Sequence, residues 1–238
     1  MDERPRRSAG VRWLKQRLYE GHPSRFEVLA RAHVRAARRV LVFGAGRGWH
    51  ELDLRGPGRV VVGVDVTPDV LANPHVDRGV VYDGRRLPFP DSHFDLCCTQ
   101  SVIEHLVDPA ATFGELARVL EPGGRLVLKT PNKWFYAMLV SRLVPNRLHA
   151  PVIRFATGRA ARDVFPTVYR ANTLGRLRRL LAAAGFVEVE LQGHLHGAGY
   201  LEWSLPSYLA GVLYERVVNL TPAFEPLRGH FVGEFLRP

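Results

Sequence analysis

Short apolar runs alternate with amphipathic stretches along this chain, and their spacing assigns most of its elements. Residues 24–38 open with Ser24 as an N-cap and Glu27 three positions on, and Phe26, Leu29, Ala30, His33 and Ala37 fall on one helical face. The apolar run 39–43 then breaks into Gly44-Ala45-Gly46-Arg47-Gly48, a strand followed at once by a glycine turn. Two further apolar runs, 60–64 and 80–82, end in Asp65 and Asp83, so each carboxylate is expected at a strand end. Residues 94–99 form a fourth strand in this reading. Asp108 then caps a helix with Pro109 at its first position and Phe113, Leu116, Ala117 and Leu120 on its apolar face.

Glu121-Pro122-Gly123-Gly124 is expected to turn the chain into a fifth strand, 125–130. About forty residues without a simple pattern follow, a connection long enough to suggest function. Asn172 then caps another helix that stops near Gly185. Residues 186–191 alternate strictly, with Val187, Val189 and Leu191 on one face and Glu188 and Glu190 on the other, and 230–236 is the segment expected to pair with them. Strands alternating with helices predict an α/β fold: a Rossmann-like, doubly wound, mostly parallel sheet with helices on both faces, seven-stranded with an antiparallel C-terminal strand. No repeat, linker or shift in composition divides the chain. A single domain is expected, with N-terminal helices in 1–38, a ligand-binding half in 39–132, a lid or substrate insertion in 133–170, and a C-terminal helix and strands in 171–238.

Composition narrows the function classes. With 238 residues, 46% hydrophobic and 24% charged, the chain is an ordinary globular protein. Its two cysteines, Cys97 and Cys98, are adjacent inside an apolar run, which rules out a normal disulfide between them and a four-ligand zinc site. They are expected as small core residues in a reducing compartment. No apolar segment follows the basic N-terminus as a secretory signal would require, and no stretch reaches the roughly 18 apolar residues of a membrane span. A cytoplasmic location is therefore expected. The formal charge of +10 invites a nucleic-acid or anionic-membrane partner. Because Lys15, Lys129 and Lys133 are the only lysines, the competing explanation is GC-rich coding that favours arginine, and it is preferred.

The candidate chemistry lies at the strand ends. In an open parallel sheet, ligands bind beyond the carboxyl ends of the strands where the strand order reverses, and glycines there let a ligand approach the backbone. Gly44 to Gly48 is such a place, although a tight strand-to-helix turn uses the same residues for purely steric reasons. Asp65, at the end of the next strand, can accept both hydroxyl protons of a ribose. Asp83 would reach an adenine amine, with Gly84 leaving room for the ring. Each Asp could equally cap a helix or form a turn. The third glycine of a dinucleotide fingerprint would fall at Trp49, which disfavours a nicotinamide enzyme, and no lysine follows the glycines as a P-loop requires.

Together "VLVFGAGRG", "VVGVD", "YDGRRLPFPDSHFDLCCTQSVIEHLVDP" and "LARVLEPGGRLVLKTPN" resemble a class I S-adenosylmethionine-dependent methyltransferase over residues 39–132. The flavour is that of the group that includes quinone-biosynthesis and glycan-cluster-associated methyltransferases. The resemblance implies S-adenosyl-L-methionine as cofactor and no metal. It further implies that Phe43, Gly44, Ala45 and Gly46 pass under the methionine portion, Asp65 and Val66 meet the ribose, Asp83 and Gly84 the adenine, and Gln100 and Ser101 the reactive end. One departure stands out: the family's acidic residue two before the first glycine is Val42 here.

Methyl transfer needs alignment more than covalent machinery, and a hydroxyl acceptor needs a base. His105, just past the fourth strand, is the candidate, since an imidazole titrates near neutrality. The alternative is a helix-start histidine that only bonds backbone. Glu104 and His149 are weaker candidates. Between the fifth strand and the Asn172 helix stand Lys133, Arg142, Arg147, Arg154, Arg159, Arg162 and Arg170 against Asp163, with Trp134, Phe135, Tyr136, Phe155, Phe165 and Tyr169. Such a surface suits a phosphorylated or lipid-linked sugar, or it is a helical lid with an Arg-rich solvent face. The stretch 200–220 is expected to form a pocket wall or dimer contact in preference to a peripheral membrane contact.

The activity expected is methyl transfer to a hydroxyl or carboxylate of a small-molecule or lipid-linked acceptor, a glycan included, in the cytoplasm or at the inner membrane surface. RNA methylation is the alternative suggested by charge, but no RNA-binding module or amino-methylation signature accompanies it, so nucleic acid is not the expected partner. A non-catalytic cofactor-binding protein is the alternative suggested by Val42.

Overall fold

A computed structural model describes residues 8–19, 22–48, 52–143, 166–197 and 201–238. They form two compact units, one made of Arg25–Pro131, Val168–Gln192 and Phe231–Pro238, the other of the described parts of Met1–Ser24, Asn132–Thr167 and Gly193–His230.

The first unit holds the sheet. Its strands are β1 (Arg39–Phe43), β2 (Val60–Asp65), β3 (Arg78–Val81), β4 (Phe94–Gln100), β5 (Leu120–Pro131), β6 (Val187–His194) and β7 (His230–Leu236), in the order β3-β2-β1-β4-β5-β7-β6. β1 pairs in parallel with both β2 and β4, as do β2 with β3 and β4 with β5. β7 runs against β5: Gly123 N donates to Arg237 O at 2.8 Å and Arg237 N to Gly124 O at 2.9 Å. The order reverses between β1 and β4, which leaves a crevice at their carboxyl ends.

Helices cover both faces because the strands are apolar on both. Toward one face, α2 (Arg25–Val34) sets Phe26, Leu29 and Ala30 against Val40, Val42, Val61 and Cys98. Toward the other, α3 (Pro109–Val119) and α5 (Leu174–Ala183) set Phe113, Leu116, Leu177 and Leu181 against Leu41, Cys97, Leu126 and Leu128. Burying each such side chain contributes on the order of 1.5–3 kcal/mol.

Three elements differ from the sequence reading. The segment 121–124 is no separate turn; it lies within β5 as an irregularity between the pairs Phe94↔Leu120 and Leu96↔Arg125, where Gly123 takes φ +84°. Asn172 does not cap α5. Thr173 does, without a side-chain bond, while Asn172 is buried and donates through Nδ2 to Thr130 Oγ1 at 2.6 Å and Pro131 O at 3.0 Å. The stop at Gly185 holds, with φ +90°. On β6, the edge strand, only Leu191 of the alternating apolar face is buried; Val187 and Val189 are exposed.

In the second unit, α1 (Ala9–Tyr19) and α6 (Leu205–Asn219) pack through Val11, Leu14, Tyr208 and Val212. Ser204 caps α6 in a reciprocal box with Ser207. α4 (Tyr136–Leu143) follows Phe135, which joins Tyr136 and Tyr214 in an aromatic cluster. Asn132 anchors this segment by donating to Pro226 O and Arg228 O at 2.8 and 2.9 Å.

Candidate active site

The turn after β1 is held by its backbone. Gly44 N and Ala45 N both donate to Val64 O, at 2.9 and 3.1 Å, which ties the loop to β2. Gly44 has φ +71°, and a Cβ there would lie 2.1 Å from Val102 Cγ2, so only glycine fits. At Gly48, φ is +105° and a Cβ would strike His75 and Asn73. Asn73 in turn donates to Ala45 O at 3.0 Å. Ala45 itself is buried, its side chain in the α2-side core.

Asp65 stands at the tip of β2 facing this turn. Its Oδ2 accepts from Gly46 N at 2.9 Å, and its Oδ1 accepts from Thr67 N and Thr67 Oγ1 at 2.9 and 3.0 Å. A carboxylate has about four acceptor sites, so the protein occupies three and leaves one, on Oδ2. The sequence reading gave both oxygens to a ribose. Here Oδ1 is already committed to Thr67.

Beyond β3, Asp83 Oδ1 accepts from Arg85 N and Arg86 N at 2.9 and 3.2 Å, a turn that keeps its carboxyl below the usual range. Gly84 follows at φ +79°. Asp65, Asp83, Gly84 and the Gly44 turn share the wall of one cavity of about 550 Å³, within the roughly 300–1,000 Å³ usual for small-molecule sites. Phe43, Val66, Tyr82, Val102 and Leu106 supply apolar wall. Val66 is 53% exposed, an apolar side chain presented to open space beside the two carboxylates. Burial, and then the charges of Asp65 and Asp83, push the Tyr82 phenol up to about 12. It is a neutral wall at physiological pH. Apolar faces for a flat base, an open acceptor for a hydroxyl and a side-chain-free edge at Gly84 fit an adenosine.

The tip of β4 gives the remaining candidates. Ser101 takes φ +56° and donates its amide to Lys129 O at 2.9 Å. Gln100 and Ser101 end the strand but are not part of the cavity wall, nor are Ala45 and Gly46, the last joined to it through Asp65. His105 is on the wall, at the end of a 3-10 turn, Ile103–His105. Its Nε2 is 3.9 Å from Glu104 Oε1. Glu104 is buried: Thr130 Oγ1 donates to its Oε2 at 3.2 Å, and its carbonyl accepts from Val168 N and Tyr169 N. The chain Asn172, Thr130, Glu104 thus holds the backbone on which His105 is mounted.

Several wall residues were not singled out from sequence: Tyr82, Arg85, Val102, Leu106 and Thr112. The one available signal was Asp108, whose capping of α3 at 3.1 Å to Ala111 N puts that helix's first turn beside the cavity. Val42 is buried among apolar residues of the α2-side core, between Gly63 and Cys98 in register. The position holds no charge.

Of the cationic, aromatic segment, Lys133 lies 4.9 Å from the Trp134 ring and Arg170 donates to Val107 O at 2.5 Å. Arg147, His149, Arg154, Phe155, Arg159, Arg162, Asp163 and Phe165 lie outside the described residues, as does the side chain of Arg142. No group of three or more metal-ligating side chains occurs among the described residues. No helix there is long and apolar enough to cross a membrane.

Residues 41–128 match the family model described as a methyltransferase domain. The chain is 33% identical over 202 residues to a probable S-adenosylmethionine-dependent methyltransferase of Mycolicibacterium smegmatis, covering 82% of this chain and 69% of that one. It is 31% identical to the malonyl-[acyl-carrier protein] O-methyltransferase of Erwinia billingiae, covering 54% of this chain and 53% of the relative, about half its length. Among solved structures, one of the S-adenosylmethionine-dependent methyltransferases of Methanosarcina mazei superposes with a TM-score of 0.58 at 19% identity, over 88% of this chain and 96% of that one, which speaks to fold alone.

Proposed function

We propose, from the premise that this chain belongs to the S-adenosylmethionine-dependent methyltransferases, that it methylates a hydroxyl or carboxylate on a small or lipid-linked acceptor, a glycan included. The observation that carries the reading is the sharing of one cavity by the Gly44 turn, Asp65, Asp83-Gly84 and His105 at the point where the strand order reverses.

S-adenosylmethionine supplies an electrophilic methyl on a sulfonium. The chain's residues do the rest. Gly44, with no side chain on the cavity wall, lets the methionine portion lie against backbone. Asp65 uses its remaining acceptor on Oδ2 for a ribose hydroxyl. Val66, Tyr82 and Leu106 enclose the adenine and Asp83-Gly84 meets its edge. Gln100 and Ser101, at the tip of β4 just before the wall residue Val102, are the residues assigned to the reactive end. His105 accepts the proton of a hydroxyl acceptor, which then passes to solvent; a carboxylate acceptor needs no such step. Water exclusion by the apolar wall strengthens every polar contact inside. Val42 leaves the cofactor's amino group to backbone carbonyls and solvent, which weakens binding without abolishing it.

An acceptor of this kind fits an enzyme working in the cytoplasm, close to the membrane from which lipid-linked molecules are drawn. The relative from Erwinia, named for a carboxyl carried on a protein-bound chain, supports a carboxylate as readily as a hydroxyl. The test is incubation with methyl-labelled cofactor and a lysate resolved into lipid, glycan, small-molecule and RNA pools. Label in the first three supports the reading. Label confined to RNA, or no transfer to any pool while the cofactor binds, overturns it.

A further inference from the structure

The outer side of α6 is apolar for its whole length. Leu205, Leu209, Leu213 and Val217 recur every four residues and are exposed, with Pro206 and Ala210 between them. Leu213 and Leu220 are 66% and 78% exposed. Sixteen residues of helix and cap span about 22 Å at 1.5 Å per residue, and Phe224 and Leu227, which follow in the chain, are exposed as well. A continuous stripe of this size marks an interaction surface; scattered exposed leucines do not.

What surrounds the stripe is equally one-sided. α1, which packs against α6, contains no Asp or Glu and exposes Arg12, Trp13 and Arg17, the Arg17 guanidinium 5.7 Å from the Trp13 ring. α6 adds the exposed Arg216 beside Val217, and Trp203 stands exposed before its cap. The acids of residues 201–220 are Glu202 and Glu215, and both are turned inward. Lys15 donates to Glu202 at 2.7 Å, and Tyr19 donates its hydroxyl to Glu215. The two helices therefore present leucine, tryptophan and arginine with no exposed carboxylate among their described residues.

We propose that the α1–α6 face docks on an anionic lipid surface. Leucines on one helix side, tryptophans at the margin and arginines able to reach phosphate are the composition that holds an amphipathic helix in the headgroup layer. A second copy of the chain fits less well. A two-fold interface on this face would set Arg216 and the α1 arginines of one copy against those of the other, with no exposed carboxylate among the described residues of α1 and α6 to pair them. Nucleic acid would leave the leucine stripe in water. Docking needs nothing from the nucleoside cavity, so it stands or falls apart from methyl transfer.

The experiment is flotation of the full chain with vesicles of phosphatidylcholine alone and of phosphatidylcholine mixed with phosphatidylglycerol. The expected result is binding at least about tenfold stronger to the mixed vesicles, with a loss of about fivefold for Arg216→Gln, since one cation near an anionic surface is worth about 1 kcal/mol. Leu209→Glu/Leu213→Glu is expected to abolish flotation while keeping the melting temperature and the affinity for S-adenosylmethionine, because both side chains are exposed. Failure of the unaltered chain to float with mixed vesicles, equal binding to both vesicle types, or undiminished flotation of the double variant would each overturn the proposal. So would a dimer in sedimentation that the double variant dissolves while vesicles are ignored.

Discussion

The amide of Gly46 donates to Oδ2 of Asp65 at 2.9 Å, so a bond within the protein joins the turn after β1 to the tip of β2. A charge-assisted bond of this kind contributes about 1.5–3 kcal/mol. Asp65→Ala is therefore expected to act twice, by freeing the turn and by removing the ribose acceptor. Affinity for S-adenosylmethionine should fall at least about tenfold, roughly 1.4 kcal/mol, in calorimetry. Thr67→Val is the informative companion. It removes only the Oγ1 donor that competes for Oδ1, so its affinity should match or exceed that of the unaltered chain; a loss equal to that of Asp65→Ala would show that Thr67 orients the carboxylate.

Gly44 and Val102 both line the cavity. Gly44→Ala brings a Cβ to 2.1 Å from Val102 Cγ2 at a φ of +71°. The left-handed conformation alone costs a non-glycine residue about 1–2 kcal/mol, and the clash adds to it. The variant should melt at a lower temperature and lose measurable cofactor binding. Adding Val102→Ala removes the clash but not the backbone strain, so the double variant should recover part of the melting temperature. No recovery would mean that strain, and not contact with Val102, makes this position glycine.

How much of this was legible in the chain depends on how local the cause is. The β strands were read to within a residue or two at Arg39–Phe43, Val60–Asp65 and Phe94–Gln100, because each is an apolar run bounded by glycine, aspartate or polar turn residues. The first turn of α3 was legible from Asp108-Pro109. Asn172 was misread because an Asn before a leucine-rich helix has the sequence of a cap, while its bonds to Thr130 and Pro131 come from the tip of β5, some forty residues earlier. The cavity wall of Tyr82, Val102 and Leu106, and the inward turn of Glu202 and Glu215, are likewise products of tertiary packing that no local pattern encodes.

Asn172 gives a direct comparison of those two roles. Its Nδ2 bonds are buried and link the approach to α5 with β5, whereas Thr173, the residue at the cap, makes no side-chain bond. Asn172→Ala leaves the Pro131 carbonyl without this donor and should destabilise the fold by about 1–3 kcal/mol. Thr173→Ala should change stability by less than about 0.5 kcal/mol. Equal effects in thermal melting would return the capping role to Asn172.

Cys97 and Cys98 set an alkaline limit. Burial pushes both thiols up, Cys98 to about 12 from 9.0. In the unfolded chain these thiols ionise above about 8.5, while in the fold they stay neutral. Stability from this difference is therefore complete below about 8.5 and is lost as pH rises through about 12. Chemical denaturation across that range should show a falling midpoint. Cys98→Ala should flatten the fall while lowering stability at neutral pH, since it leaves a small void. At pH 8, below that window, the folded chain should resist thiol alkylation, and rapid labelling there would contradict the burial of both side chains.

His105 separates catalysis from architecture. It lies on the cavity wall, and its backbone is fixed by Glu104, whose carbonyl accepts two amides and whose side chain is held by Thr130. Replacing the imidazole should not loosen that scaffold. If His105 takes the acceptor's proton, His105→Asn should leave cofactor affinity and melting temperature unchanged and lower kcat by about 10²–10⁴-fold with a hydroxyl acceptor. A carboxylate acceptor arrives already deprotonated, so the same variant should then turn over nearly as fast as the unaltered enzyme. The ratio of the two kcat effects thus reports the acceptor class as well as the role of the residue. If His105→Asn instead weakens cofactor binding and leaves kcat intact, the imidazole is part of the nucleoside wall and the proton leaves by another route.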